Sequence, residues 1–159
     1  MLGLWLQKLA LRIIETQKPN LLIGPQEDPY MSRWYVLPRN HFFNMYIHEI
    51  LHDDDHRALH DHPWISLSYM VQGGVFEITE NDKRRYIGPG RWIYRSAKFA
   101  HRLALPSYPK CDHETVPAIT VFFTGPKIRT WGFHCPKGWR RWQDYVDMNN
   151  RGQQGPGCD

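Results

Sequence analysis

The sequence predicts an all-β domain, a barrel or sandwich of many short strands behind one N-terminal helix. Three observations carry this. From Trp34 onward apolar residues recur with a period of two, the spacing that places alternate side chains on one face of a strand. Turn-forming residues separate those windows at short intervals. Twelve prolines and twelve glycines are spread along the chain, which suits short strands and tight turns better than long helices.

The 159 residues are enough for one domain with its own core. Residues 1–18 are expected to form an amphipathic helix, because Leu2, Leu6, Leu9 and Ile13, with Trp5 and Ile14, make one apolar stripe. Lys18-Pro19-Asn20 ends it. The stripe is expected to pack on the same domain or on a second copy of the chain. Lys8 and Arg12 interrupt the apolar start, and no small-residue cleavage site follows, so it does not read as a signal peptide. No stretch reaches the roughly 18 apolar residues of a membrane span.

The main domain is expected over residues 30–148. Its strand windows are Trp34–Leu37, Asn44–Leu51, Ile65–Val71, Val75–Glu80, Arg84–Ile87, Trp92–Arg95, His101–Leu105, Ala118–Thr124 and Thr130–His134. Turns fall at Pro38-Arg39-Asn40, Gly73-Gly74, Asn81-Asp82, Gly88-Pro89-Gly90, Pro106-Ser107 and Gly125-Pro126. Gly138 to Val146 reads as a short C-terminal helix. Residues 149–159, rich in Gly, Gln and Asn, are expected to form a flexible tail.

The formal net charge is +4, but the basic residues are dispersed apart from Lys83-Arg84-Arg85 and Arg140-Arg141. That dispersal argues against a nucleic-acid partner. Cys111, Cys135 and Cys158 are odd in number and lack C-x-x-C spacing, so neither a disulfide framework nor a zinc knuckle is expected. A reducing cytoplasm fits, with Cys158 a free thiol on the tail.

The chemistry concentrates in three histidines. His60 and His62 are two apart and can project from one face of a strand end. His101 must arrive from a different segment, and a closed β structure can bring it there. Three imidazoles meeting inside such a structure make a metal face with open positions. Imidazole suits zinc, copper, iron and nickel alike.

These residues resemble the two motifs of the cupin superfamily. His60-Asp61-His62 matches the opening pair of the first motif and Gly73 its closing glycine, while Ser66 stands where the glutamate belongs. Gly90 and His101 match the glycine and histidine of the second motif. Ser96, Lys98 and Leu105 replace its proline, second glycine and asparagine. The motifs span Leu59 to Leu105, and strand patterning extends the similarity to about Trp34–His134. The resemblance implies a double-stranded β-helix, or jelly-roll barrel, with one divalent metal inside and a homodimeric assembly.

With serine at the glutamate position, the ligand set is three neutral histidines. Thiol dioxygenases of the superfamily have similar sites, so the resemblance implies iron first, with zinc, nickel or manganese left open. A neutral set leaves the metal's charge to attract a small anionic substrate. The expected activity is a metal-dependent dioxygenase. A non-catalytic cupin holding a sugar or metabolite is one alternative. A metal-independent isomerase or epimerase, pairing His101 with Asp53 or Asp54, is another.

Further candidates surround the trio. His56 is the best extra ligand in His52-Asp53-Asp54-Asp55-His56, although such a run more often forms a solvated turn. Arg57 and Arg95 are expected at the mouth, holding the substrate's anionic group. Tyr69, Tyr94 and Tyr46 are candidates to line the cavity. Asp61 should point away from the ligands. Trp131, His134, Cys135, Trp139 and Trp142 read as a lid or packing element.

Overall fold

A computed structural model describes residues 1–25, 27–54, 57–106, 116–148 and 153–159. Helix α1 (Leu2–Thr16) precedes a run of strands: β1 (Leu21–Ile23), β2 (Met31–Tyr35), β3 (Asn44–Ile50), β4 (Leu59–His60), β5 (Ser66–Gln72), β6 (Val75–Thr79), β7 (Lys83–Ile87), β8 (Trp92–Arg95), β9 (Arg102–Ala104) and β10 (Ala118–Thr124). The chain closes with β11 (Gly132–Cys135), β12 (Gly138–Arg141), helix α2 (Trp142–Tyr145), β13 (Val146–Asp147) and β14 (Gln153–Gln154).

The largest sheet runs β1-β2-β3-β10-β5-β8, and every pairing in it is antiparallel. Strand β10 sits between β3 and β5, so the chain returns across the sheet late. Strands β7-β6-β9 form a second sheet and β12-β11-β4 a third. Each strand's two-residue period sorts its side chains. On β5, Leu67, Tyr69 and Val71 face outward, while Ser66, Ser68 and Met70 face the interior.

The outward face of the large sheet is covered by α1. Leu6 and Ala10 are fully buried against Trp34, Ile47, Tyr69, Val71 and Val121. The Trp34 indole N–H donates to the Gln17 carbonyl at 2.9 Å and so ties down the end of the helix. Of the two expected destinations for the apolar stripe, the sheet of the same chain takes it. Burying Leu6 alone contributes roughly 2 kcal/mol.

A second core lies between the large sheet and β6–β7. It joins Met31, Ile50, Met70, Ile93 and Ala118 to Val75, Ile87 and Leu105. The chain passes from one sheet to the other at Gly73, whose φ of +68° is a left-handed conformation. A Cβ there would run into the Pro117 carbonyl, so only glycine fits.

The C-terminal region departs from expectation. Residues 138–141 form strand β12 rather than helix, and α2 covers only Trp142–Tyr145. The final residues do not hang free: Gln153–Gln154 pair with Val146–Asp147, and the Gly157 N–H donates to the Tyr145 carbonyl at 3.0 Å. Cys158, expected as a free thiol, is joined to Cys135 in a disulfide. The premise for a cytoplasmic reading, a chain with no disulfide, therefore falls away. Cys111 lies outside the described residues. Among those described, no helix is long and apolar enough to cross a membrane.

Candidate metal centre

Backbone pairing delivers the three histidines. His60 and His101 form an isolated antiparallel bridge, each N–H donating to the other's carbonyl at 2.9 and 3.0 Å. The His62 N–H donates to the Ala97 carbonyl at 3.1 Å, which holds the second imidazole against the segment leading into His101. Ring centroids lie 5.1 Å apart for His60–His62, 4.9 Å for His60–His101 and 5.1 Å for His62–His101. One nitrogen from each ring falls within 4.8 Å of the others.

Two features fit this trio to a metal ion. His62 Nε2 and His101 Nε2 face each other at 3.5 Å. Two nitrogens bound tetrahedrally at the usual zinc distance would be about 3.4 Å apart. The His101 ring is 2% exposed, and its Nδ1 has no hydrogen-bond partner among the described residues. A buried imidazole with at most a poorly aligned backbone partner on one nitrogen, and a second imidazole facing the other, is poorly satisfied by protein alone. A cation shared by the rings would supply the missing partner.

Electrostatics favour the neutral, ligating form. Burial pushes His62 well below the ordinary imidazole range, and His60, Arg95 and Arg33 push it further. Burial lowers His101 likewise, aided by His60, Arg95 and His62, with a weaker opposing pull from the Phe99 backbone. Neutral rings keep the lone pair that a metal needs.

Behind the trio stand two aspartates. Asp54 Oδ2 lies 3.8 Å from His60 Nδ1 and accepts the Leu103 N–H at 2.6 Å, while its other oxygen accepts the Tyr30 hydroxyl. Asp53 caps the Leu105 N–H at 2.6 Å. The acidic run is thus partly built into the fold instead of forming a solvated turn. Neither aspartate meets His101, so the pairing that an isomerase reading needs is not formed. His56 lies outside the described residues.

Asp61 points away from the ligands, as strand parity expects, and is 1% exposed. It accepts from the Gly132 N–H at 2.9 Å and the Trp139 indole at 3.0 Å, and pairs with Arg129 at 2.8 Å. His134 Nε2 stands 3.2 Å from the same carboxylate. With Cys135 in the disulfide, that neighbouring pair forms no second metal site. The aromatic segment packs behind His60 as a wall: Trp131 stacks on Trp142, and Phe133 stacks on Tyr145.

A cavity of about 100 Å³ opens beside the trio, several times what one water requires. Arg95 lines it but lies buried inside the barrel, not at the mouth. Its Nε donates to Glu77 at 2.7 Å and its Nη1 to Ser68 at 3.2 Å. Arg57 is elsewhere: it lies over the Tyr145 ring and donates to the Gly155 carbonyl at 3.0 Å. Tyr69 faces α1 and Tyr94 is 65% exposed on the outer face, so neither lines the cavity. Tyr46 does face inward, stacked on His48.

Sequence reasoning missed Arg33 and His48, which line the cavity from β2 and β3. The signal was present, since Met31 and Arg33 continue the inward alternation, but the expected strand began at Trp34. It also missed Arg129, which donates to the carbonyls of Ala97 and His62 at 3.2 and 3.4 Å and clamps the two ligand segments together.

No protein-family model matches the chain, and no curated protein matches it. Solved structures do. The DMSP lyase DddQ from Ruegeria pomeroyi DSS-3 superposes with a TM-score of 0.50 at 12% identity, over 68% of this chain and 53% of that one. The chain thus spans about half the length of that lyase. A protein of unknown function with a cupin-like fold from Ralstonia eutropha JMP134 gives a TM-score of 0.51 at 13% identity, over 71% of this chain and 64% of that one. An RmlC-like cupin from Shewanella frigidimarina NCIMB 400 gives 0.48 at 14% identity, over 67% and 85%. At these identities the likeness shows the fold alone, a cupin-like double-stranded β-helix.

Proposed function

We propose that this chain is a metal-dependent enzyme, an oxygenase of the non-haem kind, acting on a small anionic molecule. His60, His62 and His101 would hold one divalent metal, iron first. When bound, such an ion supplies Lewis acidity, redox capacity and open positions for substrate and oxygen. The observation that carries the reading is the cluster of three ring nitrogens, with His62 Nε2 and His101 Nε2 facing each other across 3.5 Å in the interior.

The described residues lining the cavity offer no free aspartate or glutamate for proton abstraction. Among the described residues, Asp54 is the one carboxylate lining the cavity, and it is engaged by Tyr30 and the Leu103 N–H. Among the described residues, no uncommitted carboxylate therefore stands ready as a general base. Arg33, which no carboxylate pairs with among the described residues, gives the cavity a positive charge that draws in an anion. The enclosing aromatic and aliphatic side chains exclude water.

The test is metal analysis of protein purified without chelator, followed by oxygen uptake with ferrous iron and a panel of small thiols and carboxylates. Near-stoichiometric metal that is lost in His101→Ala supports the centre, and equal metal in both proteins refutes it. Oxygen uptake that depends on one substrate class supports the oxygenase. Silence alongside tight ligand binding would leave a binding module. We further propose a homodimer covering the exposed Leu2, Leu4 and Trp5. Sedimentation at micromolar concentration tests it, and a monomer there refutes it.

A further inference from the structure

Two arginines line the cavity, and their charges are handled differently. Arg95 is matched inside the protein, with Nε on Glu77 at 2.7 Å and Nη1 on the Ser68 hydroxyl at 3.2 Å. Glu77 is 1% exposed and reaches Arg85 with its other oxygen at 2.6 Å. Arg33 has no such match. It stands opposite His48 in the β2–β3 register and donates Nε–H to His48 Nε2 at 2.9 Å. Its guanidinium carbon lies 5.1 Å from the centre of the Tyr46 ring. Among the described residues it forms no ion pair with any carboxylate, and no protein acceptor takes an Nη proton.

A half-buried guanidinium still presents donors from its planar fork that need acceptors. Here the Nε–H is already committed to His48, and the Tyr46 face supports the plane from one side. His48 is itself held between Tyr46 and Phe122, with ring centroids at 6.0 and 4.9 Å. The fork is therefore positioned before any ligand arrives, with its Nη groups left over. That geometry suits two oxygens of one planar anion, which lysine could not replace because its ammonium is a point charge. Phe122 also touches His62, at 6.4 Å between centroids, so the fork and the histidine trio share one enclosed space of about 100 Å³.

We propose that Arg33 is the ligand-anchoring residue of this cavity and that it binds the carboxylate of a compact monocarboxylate. The rest of that molecule would lie toward His62 and His101. This rests on the reading of the cavity as a small-anion site beside a metal centre, and it names the anion's chemistry. His48 is a positioning residue, because it acts on the ligand only through the Arg33 plane.

The test is calorimetric titration of the full chain with sodium propionate, and with propionamide as its neutral isostere, with metal content measured in parallel. The wild-type protein should bind propionate and not propionamide. Arg33→Gln should weaken propionate binding at least tenfold while metal content stays unchanged. Arg33→Lys keeps the charge without the fork and should fall between the two, which also decides the matter if Arg33→Gln does not fold. Equal propionate affinity in wild type and either variant would overturn the proposal, as would equal binding of propionamide. Absence of metal from every preparation would instead count against the metal centre, because the Arg33 dependence is still read in the same titrations.

Discussion

Asp61 and Arg129 form an ion pair of 2.8 Å on the far side of the segment that carries the two neighbouring histidines. The same arginine donates to the carbonyls of His62 and Ala97. One buried carboxylate thus fastens β11 and β12 to the histidine pair, and its partner fastens that pair to the approach to His101. The residue between the two histidines holds both segments while touching neither ring nitrogen.

Asp61→Asn should therefore damage both stability and metal binding. It removes a charge that is 2% exposed in its side chain and leaves at least one donor facing an amide N–H₂. Breaking such a pair from one side costs roughly 3 kcal/mol. Urea denaturation should show that loss, and metal affinity should fall about tenfold or more as the ligand segments loosen. Unchanged stability would mean that the pair is merely decorative.

Asp54 is expected to matter differently, because it stands behind a ligand. Its carboxylate oxygen, 3.8 Å from His60 Nδ1, favours the tautomer and orientation that present Nε2 to the ion. Asp54→Asn should weaken metal binding by about 10- to 100-fold, measured by competition against a chromophoric chelator. It should also lower stability by about 1–3 kcal/mol through the Leu103 cap. Wild-type metal affinity in this variant would show that His60 needs no support from Asp54.

The architecture and the histidine trio were readable in the chain because both are local or periodic. Alternation marked the strands from Asn44 to Thr124 to within about a residue at each end, apart from the two-residue β4, which is too short to show a period. The His-x-His pair and the two motif glycines carry fixed spacings. Gly73 and Gly90 both adopt positive φ, at 68° and 81°, so the turn they mark is written in residue type. Arg33, Arg95 and Glu77 were less readable because their roles depend on which strands become neighbours. Nothing local to Arg95 says that Glu77, eighteen positions earlier, will meet it. Tyr94 failed for a simpler reason: it follows Ile93 on a strand whose interior residues are Ile93 and Arg95, so parity turns it outward.

Stability should depend on pH in a definite direction. His48, His62 and His101 are all held below the ordinary imidazole range, each chiefly by burial. Below about pH 6.5 the unfolded chain binds protons at these positions that the folded chain does not. The folded state is therefore fully favoured above that pH and loses ground as the pH falls from about 6.5 toward the lowered folded values. For metal-free protein, the urea midpoint should stay level from pH 8 to 7 and then drop. The loss should be about 1–4 kcal/mol per pH unit, depending on how many of the three titrate together. A midpoint that stays level down to pH 5 would show that these rings protonate freely in the folded chain.

The disulfide between Cys135 and Cys158 offers the last prediction. It closes a loop with a sequence separation of 23 residues, and limiting that much unfolded chain is worth about 3 kcal/mol. The closed loop carries Tyr145, which is 1% exposed and stacked on Phe133 with ring centroids 3.6 Å apart, and Phe133 in turn pairs with His60 across β11 and β4. The staple thus secures the aromatic wall behind one ligand without contributing to the ligand set itself. Cys158→Ser should lower the free energy of unfolding by about 3 kcal/mol, as should reduction of the wild-type protein. Metal stoichiometry should be retained, because the His60–His101 bridge and the Asp61 contacts with Gly132 and Arg129 lie outside the closed loop. Denaturation with and without reductant, each with metal analysis, checks both halves. Loss of metal on reduction would show instead that the centre depends on the C-terminal segment.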